Sequence, residues 1–181
     1  MIDAYVGLGA NVGDRMGNLR AALGRLHREP GFRVAGVSRV WDTAPVGPPQ
    51  PRYLNAAVRL STLLSPRSTL RRLLEIEERL GRVRREHWGP REIDLDLLLF
   101  GERVVKEPGL EVPHPRLHER IFVLAPLAEV APFVVHPVLS RPIADLLAAL
   151  PSSDWRDARP VASLELDPGG DDGDEPGPAA A

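Results

Sequence analysis

Residues 91–100 read Arg91-Glu92-Ile93-Asp94-Leu95-Asp96-Leu97-Leu98-Leu99-Phe100. The apolar run from Ile93 to Phe100 predicts a strand. Side chains two apart on a strand share a face, so Asp94 and Asp96 project together while Ile93, Leu95, Leu97 and Leu99 line the opposite side. Two carboxylates about 7 Å apart along a strand repel each other unless a cation lies between them. A hard cation suits the pair, since magnesium commonly takes one or two carboxylates and completes its shell with waters and substrate phosphates. The plain alternative is a half-exposed strand with two solvated aspartates.

Working back from this run, the preceding elements alternate. Asp3 to Leu8 reads as a first strand, followed by a glycine-rich turn from Gly9 to Gly17. Leu19, Ala22, Leu23 and Leu26 recur at i, i+3, i+4, i+7, the apolar stripe of a helix, and Pro30-Gly31 closes it. Arg33 to Trp41 reads as a second strand and Leu54 to Leu60 as a third, separated by the proline-rich loop Ala44–Pro51. Ser65 and Pro66 start a second helix as N-cap and first helical residue, and Gly81 stands where a C-cap glycine would. The order β-α-β-β-α-β, closed by the 93–100 strand, predicts an α+β protein with a ferredoxin-like sheet and helices on one face. Two further helices are expected at Ile121–Val130 and Ile143–Leu150. From Pro160 the composition turns to Asp, Gly, Pro and Ala with almost no core-forming residue. That predicts a domain over 1–159 and a disordered acidic tail over 160–181.

A basic loop precedes the aspartate strand. Arg82, Arg84, Arg85 and Arg91 surround Trp88. Guanidinium groups bind phosphate oxygens bidentately, and an indole face can stack on a purine or on a guanidinium. Cations beside a carboxylate pair form the layout phosphoryl transfer needs, although a charged loop is also a common solvated surface. Other phosphate and metal motifs fail on spacing. Gly7-Leu8-Gly9-Ala10-Asn11-Val12-Gly13 is G-x-G-x-x-x-G with no acidic residue at the end of a second strand, so a tight structural turn is preferred to a dinucleotide fingerprint. No P-loop sequence occurs. His114 and His118 are four apart, but Pro113 and Pro115 forbid a regular helix around His114, which argues against a zinc pair. His114 is better read as a positioned phosphate donor or proton-handling group.

Bulk properties agree with a soluble globular protein. The 181 residues suffice for one domain, and 43% hydrophobic with 27% charged residues is ordinary globular composition. A formal charge of -2 gives no hint of a nucleic-acid or membrane partner. The absence of cysteine excludes disulfides and thiol catalysis. No apolar stretch approaches a membrane span and no signal peptide is evident, so a cytoplasmic protein, read as a monomer, is expected.

These motifs converge on one family. The run 82–101, RVRREHWGPREIDLDLLLFG, resembles the signature of the 6-hydroxymethyl-7,8-dihydropterin pyrophosphokinases of folate biosynthesis. GLGANVGD at 7–14 is similar to that family's first loop, and DTAPVGPPQPRYLNAAV at 42–58 to its pterin loop and following strand. VPHPRLHERIFVLAPLAEVAP at 112–132 is similar to its histidine segment and third helix. The resemblance covers roughly residues 1 to 150. It implies a ferredoxin-like βαββαβ core with additional C-terminal helices, and transfer of the β,γ-pyrophosphate of ATP to the pterin hydroxymethyl oxygen with release of AMP. By the same resemblance Asp94 and Asp96 would ligate two Mg²⁺ ions. Arg82 and Arg91 would clamp the transferring group, with His114 and Arg120 on the phosphates. Arg84 and Glu77 would lie near the nucleotide, and Trp88 on a loop that closes over the substrates. Thr43, Val46, Tyr53, Asn55 and Phe122 would form the pterin slot. Three residues depart from the family pattern: Ala10 where serine is usual, Ala44 where proline is frequent, and Pro115 where some members carry tyrosine. The rivals on the same fold class are a γ-phosphate kinase and a non-catalytic binding module. An RNA-reading sheet would carry paired aromatics, against an aromatic content of 5% here.

Overall fold

The computed structural model describes residues 1–81 and 92–166. The chain begins with β1 (Ile2–Ala10) and α1 (Arg15–Arg28), then β2 (Phe32–Val37), β3 (Arg39–Thr43), β4 (Tyr53–Thr62), α2 (Pro66–Arg79) and β5 (Asp94–Phe100). A hairpin of β6 (Val105–Glu107) and β7 (Leu110–Val112) follows, and a 3₁₀ turn (Leu117–Glu119) leads into α3 (Ile121–Val130). A second hairpin, β8 (Val135–His136) with β9 (Arg141–Pro142), precedes α4 (Ile143–Ala148), α5 (Ser152–Trp155) and β10 (Ala158–Ser163). The second long helix starts where its sequence predicts, whereas the first starts at Arg15, inside the stretch read as a glycine-rich turn. The Asp14 carboxylate accepts the Gly17 N–H at 2.9 Å, and the Ser65 hydroxyl accepts the Ser68 N–H at 3.1 Å ahead of Pro66.

The main sheet runs β10-β3-β4-β1-β5, with β2 also on β4, and its pairings are antiparallel. This is the ferredoxin-like order, with the last strand β5 beside the first. Alternation along β1 sorts the core into two layers. Ala4, Val6, Leu8 and Ala10 pack with Leu19, Leu23 and Leu26 of α1 and Leu73 and Ile76 of α2. Tyr5 joins Ala57, Leu98 and Leu99 under α3 and α4. The expectation of helices on one face therefore describes α1 and α2, while the C-terminal helices cover part of the other face. Each fully buried leucine stabilises by about 1.5–3 kcal/mol.

Three local expectations are corrected. The predicted 33–41 strand is two strands broken at Ser38, which is buried and whose hydroxyl accepts the Ala57 N–H at 2.8 Å while its own N–H reaches the Ala57 carbonyl at 2.9 Å. That side-chain bond satisfies the ladder at the break, so the chain turns without an orphaned amide. Along β5, Tyr5 faces Leu99 but Val6 faces Leu97, so Leu98 is an extra, bulged residue. Leu99 consequently joins Leu98 beneath α3 instead of lying with Leu95 and Leu97. Finally, the domain does not end at residue 159. Residues 158–163 form the edge strand β10 against β3, and Leu164 is buried in the α1/α2 core. The rest of the predicted tail, 167–181, lies outside the described residues.

Candidate active site

The two-layer sorting leaves the aspartates and two glycines on the α3 side of the sheet. Asp94 pairs with Gly9 and Asp96 with Gly7 across β5 and β1. On β4, Asn55 is the partner of Gly9 on its other side. Each carboxylate therefore has bare backbone beside it, where any other residue would place a side chain. An added Cβ on Gly9 would come within 3.1 Å of Asn55 Oδ1, and one on Gly7 would touch Leu98 at 3.4 Å. Gly7 and Gly9 thus keep the floor open from within a strand. The sequence expectation placed Gly9 in the turn, whereas positive φ occurs there only at Gly13 (65°).

Above this floor is a cavity of about 240 Å³ lined by Thr43, Val46, Gln50, Tyr53, Asn55, Asp94, Asp96, His114, Arg120 and Phe122, among others. Drug-sized sites span roughly 300–1,000 Å³, so this space suits a small ring system better than two complete substrates. Asn55 Nδ2 donates to Thr43 Oγ1 at 2.7 Å, and both residues are buried. With its oxygen engaged as an acceptor, the Thr43 hydroxyl keeps its proton for another partner, and Asn55 keeps one N–H and an oxygen. Tyr53 and Phe122 supply flat faces. The pterin-slot residues expected from the resemblance are therefore all brought to one cavity.

At the other side of the cavity His114 follows β7, its N–H bonded to the Leu98 carbonyl at 2.9 Å. Its Nδ1 accepts the Arg116 N–H at 3.2 Å. Burial, reinforced by the Arg120 charge, holds the imidazole below its ordinary pKa, against the opposing pull of Asp94 and Glu111. A neutral ring whose Nδ1 is an acceptor carries its proton on Nε2, so His114 is a hydrogen-bond donor at neutral pH. Arg120 is half-buried, its guanidinium 5.4 Å from the Phe122 ring centroid. Burial, then the Arg116 charge, lowers its pKa, while Asp96, Glu119 and Asp94 oppose the shift. Its buried Nε has no hydrogen-bond partner among the described residues. A guanidinium N–H left so is suited to an anionic ligand.

The donor chemistry also fits a divalent cation. Asp94 and Asp96 offer carboxylate oxygens only, and no sulfur is available, which is the set a hard cation such as Mg²⁺ takes. Among the described residues no group of three or more acidic or histidine side chains forms a closed cage, so an ion here would rely on substrate oxygens and water.

Glu77 stands near the end of α2. It does not line the cavity; it is buried, and its Oε1 accepts the Leu95 N–H at 2.6 Å, between the two aspartates in sequence. Arg82, Arg84, Trp88 and Arg91 lie outside the described residues. Gln50, Gly7 and Gly9 were missed as site residues. Gln50 Oε1 accepts from Asn11 Nδ2 at 3.0 Å and from the Tyr53 hydroxyl at 3.3 Å. Only its place in the proline-rich loop could have signalled it.

Comparison with known proteins agrees with this geometry. Residues 5–132 match the model of the family described as 7,8-dihydro-6-hydroxymethylpterin-pyrophosphokinase (HPPK). A 2-amino-4-hydroxy-6-hydroxymethyldihydropteridine pyrophosphokinase of Bacillus subtilis is 48% identical over 128 residues, covering 70% of this chain and 77% of that protein. The enzyme of the same name from Pseudomonas aeruginosa is 44% identical over 148 residues, covering 81% and 91% respectively. Among solved structures, wild-type HPPK-DHPS of Plasmodium falciparum superposes with a TM-score of 0.65 at 14% identity, covering 81% of this chain but 44% of that longer one. That likeness carries the fold alone. Among the described residues no helix is long and apolar enough to cross a membrane. With more than two thirds of its length matched by the family and the curated relatives, the chain belongs to the 7,8-dihydro-6-hydroxymethylpterin-pyrophosphokinase family of enzymes.

Proposed function

We propose that this pyrophosphokinase transfers the β,γ-pyrophosphoryl group of ATP to the hydroxymethyl oxygen of 6-hydroxymethyl-7,8-dihydropterin, a step of folate synthesis. The hydroxymethyl oxygen attacks the β-phosphorus, the bond between Pβ and the bridging α,β oxygen breaks, AMP leaves, and the hydroxyl proton is released. The single observation that carries this reading is the juxtaposition of an Asn55–Thr43 hydrogen-bonding edge and aromatic walls with the Asp94/Asp96 pair in one cavity. Tyr53 and Phe122 would hold the ring, and Val46 would cover it. The Thr43 hydroxyl and the free positions of the Asn55 amide would read its polar edge.

On the phosphate side Arg120 would supply fixed positive charge and His114 an Nε2–H donor, so neither needs to change protonation during transfer. Asp94 and Asp96 would hold Mg²⁺, with two ions as the full complement. Bound there, the metal would neutralise the triphosphate and stabilise charge developing on the transferring group. Arg82, Arg84, Trp88 and Arg91 complete the proposal as the loop over the nucleotide, Arg82 and Arg91 at the transferring group, and Glu77 as a support of β5. The enzyme is read as a cytoplasmic monomer acting on small molecules, with no nucleic-acid or membrane partner.

Analysis of the nucleotide product tests this. Incubation with Mg²⁺, ATP and the pterin alcohol should yield AMP and a pterin diphosphate in equal amounts, measured by chromatography and mass spectrometry. ADP would instead make it a γ-phosphate kinase, and unconsumed ATP would make the site a binding module.

A further inference from the structure

The loop between β3 and β4 supplies Thr43, Val46, Gln50 and Tyr53 to the cavity at its ends and along its length. One side chain ties its neck. Arg52 Nε donates to the Asp42 carboxylate. One terminal nitrogen donates to the Asp42 carbonyl at 3.4 Å and to the Asp157 carbonyl at 2.9 Å. The other lies 4.0 Å from Asp157 Oδ1. The Asp157 carbonyl also accepts the Ala44 N–H at 3.1 Å, and the Arg52 carbonyl accepts from Arg15 of α1 at 2.8 Å. Asp42 precedes the slot residue Thr43, and Arg52 precedes the slot residue Tyr53, which face each other across β3 and β4. Asp157 introduces β10, beyond the 5–132 span that the family model matches.

An exposed ion pair alone contributes little. This one differs because a planar guanidinium makes directed bonds to two separate chain segments, two of them to backbone carbonyls that cannot swing away. Slack at the neck would move Thr43 and Tyr53 directly, while β5, His114 and Arg120 are anchored elsewhere.

We propose that Arg52 is a positioning residue for the pterin half of the site, clamping the β3–β4 loop against the arm that carries Asp157. This rests on the pterin-slot reading above. Arg52 touches no substrate, and its effect falls on pterin affinity while the nucleotide half is left as it is.

The test is equilibrium titration of full-length wild type, Arg52→Ala and Arg52→Lys with 6-hydroxymethyl-7,8-dihydropterin in the presence of Mg²⁺ and a non-hydrolysable ATP analogue, with steady-state kinetics alongside. Arg52→Ala should weaken pterin binding about tenfold, the scale of a modest misplacement of contact groups. Its affinity for the ATP analogue and its kcat should stay within about twofold. Lysine keeps the charge at Asp42 without the fork, so Arg52→Lys should fall between. Unchanged pterin affinity in folded Arg52→Ala would overturn the proposal, and so would equal weakening of both ligands, which marks general loosening. If Arg52→Ala does not fold, the same split in Arg52→Lys decides. Failure of wild type to bind the pterin would remove the slot reading as well, whereas wild-type binding with no effect of Arg52 removes this inference alone.

Discussion

Replacing Glu77 with alanine separates support of β5 from direct nucleotide contact. Glu77 is 1% exposed and its carboxylate takes the Leu95 N–H at 2.6 Å. β5 ends the main sheet, so this amide meets a side chain where an inner strand would meet a neighbour. A hydrogen bond to a charged group contributes about 1.5–3 kcal/mol, and a buried N–H left without an acceptor costs about 1–3 kcal/mol. These overlap, so about 2–4 kcal/mol is expected for Glu77→Ala. For a domain of this size each kcal/mol moves Tm by about 2–4 °C, which gives a drop of roughly 4–16 °C. Glu77→Gln keeps an oxygen acceptor of weaker character and should cost only about 1 kcal/mol. Thermal melting run beside titration with a Mg-ATP analogue reads both quantities. The alanine variant should melt early and lose kcat, because Leu95 lies between Asp94 and Asp96, yet bind the analogue within a few-fold of wild type. A variant that melts like wild type and has lost nucleotide affinity would refute the reasoning and make Glu77 a nucleotide ligand.

Asp94→Ala and Asp96→Ala should each nearly abolish turnover at saturating Mg²⁺ while circular dichroism stays native, because the transferring group loses its counter-charge; near wild-type rates in either would count against the metal assignment. His114 and His136 are both held below the ordinary histidine value of 6.5, the first by burial and then Arg120, the second by burial and then His118. Between the lowered values and 6.5 the unfolded chain binds more protons, so stability should fall as pH drops through that window, and His136→Gln should flatten the slope of urea midpoints against pH. Deleting residues 160–181 should lower Tm by several degrees, since it removes the outer part of β10 and the buried Leu164, whose burial stabilises by about 1.5–3 kcal/mol. Deleting only 167–181, a stretch without large apolar residues, should leave Tm unchanged.

Much of the molecule was legible before any coordinates. Periodicity in Leu19 to Leu26, the Ser65-Pro66 start and the apolar 93–100 run are local properties, and local properties suffice to order the elements and to put Asp94 and Asp96 on one face. The family resemblance then singled out Thr43, Val46, Tyr53, Asn55 and Phe122, which the fold brings to the same cavity as the aspartates. What the sequence could not decide depends on partners distant in the chain. Ser38 breaks a strand because Ala57 stands opposite it, and Leu99 changes face because β5 carries one residue more than β1 across the bulge. Gly9 read as part of a turn until the sheet register set it between Asp94 and Asn55, where an added Cβ would come within 3.1 Å of Asn55 Oδ1. Glu77 supports the strand between the aspartates, and Arg52 bridges to Asp157, 105 residues away. The acidic composition after Pro160 concealed a strand, since an edge position on β3 asks for backbone hydrogen bonds and few apolar side chains. Residue types and short-range spacing determined which elements form and which chemistry they carry; only the register between strands determined which backbone is left bare, which amide needs a carboxylate, and which loop is held.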